Sequence, residues 1–453
     1  MVTFTARRST PELVTPARPT PHELKTLSDI DDQKALRYYQ PFVEFFRPRH
    51  GAPPQAPAAA IRAALAEALV HYYPMAGRLR KLPGGKLAVE CTGEGVVFVE
   101  AEADVRLEEL GDPVAPPFPC GEELLCEVDD TEDVLGRPLF FLQVTRLKCG
   151  GFVTGFYTCH NIADGFGMIQ FMKAIADLAH TDKLPIVPPV WEREILMARA
   201  PPCVTYLNPA ITSLLSNGPD GDDSSKDIML STPPEAMVTR VFFFSATDIA
   251  SLRTHVPLHL AQSTTTFDVL TAAAWRCRTS AIGYQKGERV YLAFTLNARG
   301  RCGSGVLPVP RGYFGNALFY AVIDCAVDEL CGKPLGHAVE LVHNAKIGMA
   351  SEEEHMRSMV DAMAVQRELP PVVLERTYIV SDTRYLGEDE LDFGWAERVG
   401  GGIPLPMLAG SIGVSEYTKC KNSDGDYSTA MRMHLPRPAM DYFAKEMDML
   451  LNN

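Results

Sequence analysis

Apolar positions along this chain recur at two spacings, and where one gives way to the other the elements can be read. Gly151-Phe152-Val153-Thr154-Gly155-Phe156-Tyr157-Thr158-Cys159 is rich in β-branched and aromatic residues and reads as a strand buried on both faces. Phe166, Ile169, Met172, Ile175 and Ala176 then form a stripe at helical spacing, so a strand-to-helix turn is predicted at residues 160–165. Segments 87–90, 95–100 and 139–147 are strand-like, whereas Ile61, Ala64, Leu65, Ala68 and Leu69 predict an amphipathic helix over 61–73, stopped by Pro74 and Gly77. The first sixty residues, punctuated by Pro16, Pro19 and Pro21, read as an edge strand leading into loops.

From 183 to 235 the periodicity collapses into Pro-, Gly-, Asp- and Ser-rich sequence, including the run from Ser216 to Ser225, and reads as a solvated crossover. A second set of elements follows: a strand at 240–245, helices at 247–255 and 266–282, and a buried strand at 290–297. A chain of 453 residues exceeds what one compact core usually holds. Two α/β domains are therefore expected, 1–182 and 236–453, joined by 183–235, with residues about 375–415 free to pack against the first.

Composition narrows the function. A net charge of −14 argues against nucleic acid or an anionic membrane as partner. The first eight residues lack the apolar core of a signal peptide and no stretch approaches the ~20 apolar residues of a membrane span, so a cytoplasmic protein is expected. The eleven cysteines contain no CxxC pair and are odd in number, which favours free thiols over a disulfide framework or a zinc site.

Chemistry gathers at the turn: His160-Asn161-Ile162-Ala163-Asp164-Gly165 sets an imidazole where strand meets helix, a place suited to a general base. Gly165 and Gly167 would let the backbone bend closely around it. Asp164 would either orient the ring or pair with a distant cation and lock the turn. Cys159 adjoins His160, but neighbouring strand residues point to opposite faces, so a buried structural thiol is the expectation.

Tyr72-Tyr73-Pro74-Met75-Ala76-Gly77-Arg78-Leu79, the His160 turn, Leu296-Asn297-Ala298-Arg299, Tyr313-Phe314-Gly315-Asn316 and Asp392-Phe393-Gly394-Trp395 stand in the order seen in plant BAHD acyl-CoA-dependent acyltransferases, which the chain resembles over nearly its whole length. The segments 4–8, 27–33, 266–271 and 275–278 are most similar to the benzyl-alcohol benzoyltransferase group. The resemblance implies two chloramphenicol-acetyltransferase-like αβ domains with mixed sheets and an active-site channel at their interface. It further implies an acyl-CoA co-substrate, a small alcohol acceptor, no metal or resident cofactor, and a monomer.

By the same resemblance His160 is the base, while Asp164 points away from it and pairs with Arg299. Ser245, Ser381 and Asp382 become candidate contacts for coenzyme A, and Tyr39, Gln40 and Phe42 candidate lining of the acyl pocket. The Asp392-Phe393-Gly394-Trp395 loop is expected away from His160, beside the coenzyme channel. Ala396 stands where the family has glycine; were that backbone left-handed, alanine would cost about 1 kcal/mol. Alternatives are a transferase of short acyl groups, a condensation-type domain sharing the HxxxDG motif, and a non-catalytic relative.

Overall fold

The computed structural model describes residues 2–49, 56–128, 133–181, 187–205, 227–301, 307–351, 353–367, 375–404, 414–422 and 424–452. In chain order the first half contains β1 (Ala6–Arg8), β2 (Glu12–Val14), β3 (Leu24–Thr26), β4 (Tyr39–Pro48), α1 (Pro57–His71), β5 (Arg78–Lys81), β6 (Leu87–Glu90), β7 (Val96–Ala103), β8 (Phe140–Leu147), β9 (Phe152–Cys159) and α2 (Gly165–Thr181). The second half contains β10 (Met237–Phe244), α3 (Ala246–Arg253), α4 (Thr266–Ile282), β11 (Arg289–Asn297), β12 (Leu318–Ala326), α5 (Val327–Gly332), α6 (Leu335–Ser351) and α7 (Glu353–Gln366). It ends with β13 (Thr377–Asp382), β14 (Ala396–Gly402), β15 (Val414–Lys421), β16 (Tyr427–Pro436) and α8 (Arg437–Asn452).

These strands form two large mixed sheets and a small one. The first runs β1-β7-β8-β9-β4-β14 with β2 also on β7, the second β10-β16-β15-β13-β11-β12, and the third β3-β6-β5. β7 and β8 are parallel, as are β11 with β13 and β13 with β15, while the remaining pairs are antiparallel. β14 therefore leaves the second half of the chain to close the edge of the first sheet. α1 and α2 pack on each other beside the first sheet, and α4, α6 and α8 do so beside the second. None of the described helices is long and apolar enough to cross a membrane.

Local chemistry explains the best-formed elements. α4 opens with a capping box in which Thr265 and Asp268 each satisfy the other's backbone, and it closes on Gly283 in the left-handed conformation at φ 79°. Its apolar residues are buried on nearly every side, with Trp275 at the centre. Across β4 and β9, Phe42 stacks on Phe156 at 5.7 Å and Phe46 on Phe152 at 4.8 Å. Phe393 then sets its edge against Phe46 at 5.0 Å and Phe152 at 5.5 Å. The Asp392-Phe393-Gly394-Trp395 motif thus pins β14 to the far end of β9, seven residues from Cys159, or about 23 Å along the strand.

Two expectations need correction. Residues 39–48 are not loop behind an edge strand but an interior strand between β9 and β14, with Val43, Phe45 and Phe46 fully buried. Pro41 is tolerated because β14 pairs with β4 only from Val43 to Pro48, so Pro41 has no ladder partner on that side among the described residues. The crossover is also less solvated than predicted: Arg193 and Leu196 are buried, Val190 bridges to Tyr313, and a helical turn at Ile228–Ser231 buries Met229. The Ser216 to Ser225 run lies outside the described residues.

Candidate active site

β9 ends at Cys159 and the chain turns into α2 through residues 160–164. The turn is fixed by its backbone: the His160 amide donates to the Tyr38 carbonyl at 2.9 Å and the Ile162 amide to the Cys159 carbonyl at 3.0 Å. Asn161 Nδ2 reaches the carbonyls of Asp31 at 2.6 Å and Gln33 at 3.1 Å. Asp164 caps α2, accepting the Gly167 amide at 3.0 Å on its side chain. Gly165 and Gly167 are both helical, so the requirement for glycine is steric. A Cβ at 167 would stand 2.9 Å from that of Ala163, and one at 165 would stand 3.0 Å from Leu386.

Two buried aspartates hold this turn from opposite ends. Asp164 turns away from the imidazole and receives Arg299 in bidentate fashion, Nη1 to Oδ2 at 2.9 Å and Nη2 to Oδ1 at 3.0 Å. The Ala317 amide adds a bond to Oδ2 at 2.9 Å. Arg299 is itself held by the carbonyls of Tyr313, at 2.7 Å, and Gly315. The second aspartate, Asp31, accepts the Asn316 amide at 2.7 Å and its Nδ2 at 2.8 Å on one oxygen, and Ser28 Oγ at 2.6 Å and Arg193 Nη1 on the other. Arg193 Nη2 continues to the Ile162 carbonyl at 3.0 Å, and Asn316 Nδ2 to the His160 carbonyl at 2.8 Å.

Gly315 is glycine because a Cβ there would fall 1.9 Å from Arg193 Nη1. These ion pairs and hydrogen bonds tie the His160 turn to the end of β11 and to the 313–317 loop, so the first sheet carries the imidazole and the second half of the chain braces it.

His160 itself is half-buried. Its Nδ1 is buried without a hydrogen-bond partner among the described residues. Burial pushes the imidazole below its ordinary pKa of 6.5, against the opposing pull of its own carbonyl, Asp164, Asn316 and Asp31. A neutral imidazole at neutral pH is the state a general base requires. Cys159 is fully buried and burial lifts its thiol to about 12, which removes it as a nucleophile.

The other sequence candidates lie in structural roles. Ser245 caps α3 in a reciprocal capping box with Asp248. Asp382 holds the buried Arg384 by two bonds of 2.7 Å, and Ser381 sits in β13 opposite Glu416. Among the described residues, no hydrogen bond or ring contact joins these three to the His160 turn. Tyr39 donates to the Pro138 carbonyl at 2.9 Å and packs on Phe141, Gln40 reaches the Pro41 carbonyl at 3.1 Å, and Phe42 belongs to the aromatic core. Tyr38, one residue earlier, is the aromatic that meets His160, with ring centroids 5.1 Å apart.

At the Asp392-Phe393-Gly394-Trp395 loop, the position that demands glycine is 394, at φ 73° and with a Cβ that would strike the His180 ring at 2.0 Å. Ala396 is extended at the start of β14 and fully buried, so the left-handed strain considered for it does not arise. Elsewhere, Cys325, Glu329 and His337 bring one donor atom each within 4.8 Å of one another, and the Lys333 ammonium already sits on Glu329.

Residues 1–450 match the model of a family described as "Transferase family". The chain is 51% identical over 475 residues to Acyl transferase 1 of Oryza sativa subsp. japonica, covering 100% of this chain and 97% of the relative. It is 49% identical to Spermidine hydroxycinnamoyltransferase 1 of the same plant, covering 95% of this chain and 97% of the relative. Against Benzyl alcohol O-benzoyltransferase of Petunia hybrida it is 44% identical, covering 99% and 94%.

Among solved structures the fold is similar to vinorine synthase, with a TM-score of 0.72 at 20% identity over 98% of both chains. It is also similar to F. sporotrichioides TRI101 complexed with coenzyme A and T-2, with a TM-score of 0.64 at 16% identity over 93% and 97%. With a family match over 450 of its residues and relatives of this similarity along its whole length, the chain belongs to the BAHD family of acyl-CoA-dependent acyltransferases.

Proposed function

We propose that this enzyme moves an aromatic acyl group, benzoyl or hydroxycinnamoyl, from acyl-CoA to an alcohol hydroxyl, forming an ester in a ternary complex. The observation that carries the proposal is the state of His160: a half-buried imidazole biased toward neutrality, whose neighbouring carboxylate is committed to Arg299. In this reading the imidazole takes the acceptor's hydroxyl proton as its oxygen attacks the thioester carbonyl. The tetrahedral intermediate collapses, the carbon–sulfur bond breaks, and the departing thiolate recovers that proton from the imidazolium. Orienting both substrates at one base removes much of the entropic barrier of their encounter, and excluding water protects the thioester from hydrolysis.

Support for the donor comes from TRI101, a protein of this fold that holds coenzyme A. Support for the aromatic acyl group comes from the names of the hydroxycinnamoyl- and benzoyltransferase relatives. A second acceptor class has its own observation, since a spermidine hydroxycinnamoyltransferase, at 49% identity, is more similar to this chain than a benzyl alcohol benzoyltransferase, at 44%. A neutral amine would attack the same carbonyl, and His160 would take the proton from the resulting ammonium.

The deciding experiment is a matrix of acetyl-, benzoyl-, p-coumaroyl- and feruloyl-CoA against benzyl alcohol, aliphatic and hydroxycinnamyl alcohols and spermidine, following thiol release and product mass. Thiol release from an aromatic donor that depends on an alcohol supports the ester-forming reading. Release with spermidine alone replaces the acceptor, and release from acetyl-CoA alone replaces the acyl group.

A further inference from the structure

We infer that Tyr38 is a positioning residue for His160, its ring packing against the imidazole and keeping water from it. The inference rests on His160 being the general base. Tyr38 lies just before β4 and touches His160 twice. Its carbonyl accepts the His160 amide at 2.9 Å, and its ring packs against the imidazole with centroids 5.1 Å apart and planes tilted by 49°. One contact fixes the His160 backbone and the other fixes the ring.

Among the described residues, no hydrogen bond holds the ring at Nδ1. Asp164 is bound to Arg299, Gly167 and Ala317, and Asp31 to Arg193, Ser28 and Asn316. Asn316 Nδ2 donates to the His160 carbonyl, and Nδ1 has no partner among the described residues. The charged groups facing the imidazole are thus two carboxylates, one on its own turn and one from the 29–32 loop, each offset by its arginine. The Tyr38 ring packs against it. The Tyr38 phenol is held well above its ordinary range, first by burial and then by Tyr320 of β12, so it stays neutral while His160 titrates.

The test is the acid limb of kcat/KM against pH for thiol release in the wild type, Tyr38→Phe and Tyr38→Ala. The wild-type limb is expected below 6.5. Tyr38→Phe keeps it there, and Tyr38→Ala, by admitting water, moves it up by about half a pH unit or more. Tyr38→Thr, small and suited to a strand entrance, carries the same expectation should the alanine variant not fold. A limb that does not move in the small variants overturns the inference, as does Tyr38→Phe moving as far as Tyr38→Ala. A fully active His160→Ala enzyme would instead remove the general-base reading beneath it.

Discussion

The two aspartates that brace the catalytic turn are equally buried and do different work. Asp164 belongs to the turn, caps α2 and grips Arg299 with both oxygens, so it fixes where the helix begins. Asp31 lies 129 residues before His160 in the chain and acts through Arg193 and Asn316 on the carbonyls of Ile162 and His160, so it fixes where the strand ends. The base needs both because, among the described residues, its Nδ1 has no hydrogen-bond partner. A base held by its backbone from two sides can stay neutral and unpaired, which is the state in which it accepts a proton.

Removing one partner of a buried ion pair leaves an uncompensated charge, at a typical 3–5 kcal/mol. Asp164→Ala should fall at the upper end of that range, because it strands Arg299 and two backbone amides together, and should show as a large drop in the denaturation midpoint with lost activity. Arg193→Met should destabilise somewhat less, by about 3 kcal/mol, since Asp31 keeps Asn316 and Ser28. If the two variants lose stability equally while only Asp164→Ala loses activity, the assignment of both aspartates to one scaffold fails. Asn316→Ala sharpens the contrast: it removes the amide link between Asp31 and the His160 carbonyl, and should cost about 1–3 kcal/mol with a modest fall in kcat.

The smallest effect is expected at Ala396. Because it is extended and buried in β14, Ala396→Gly should destabilise by about 0.5–1 kcal/mol rather than relieve strain. Chemical denaturation of this variant distinguishes the two signs.

The legible half of this scaffold was the half written locally. β9 and the start of α2 follow from apolar spacing, and the observed bounds of β9 and α4 lie within a residue of those predicted. Asp164 and Arg299 were legible through ordered motifs. β4 was hidden because Pro41 and Glu44 break its pattern, and Glu44 is buried only because Arg398 of β14 comes to meet it. Arg193 carried no local signal at all: a lone arginine in a Pro-rich crossover becomes structural only when Asp31, 162 residues away, closes on it. Tyr38 carries no sequence signal that separates it from Tyr39, because it lies just outside β4 and meets His160 only when the 160–164 turn folds back beside it.

The central claim divides the HxxxDG motif into a base and a brace, and one variant tests it most directly. His160→Ala should melt close to the wild type, because the described scaffold makes no hydrogen bond to its Nδ1, while alcohol-dependent thiol release from the best aromatic acyl-CoA falls by about 10²–10⁴-fold. A folded His160→Ala protein that retains full turnover would contradict the account.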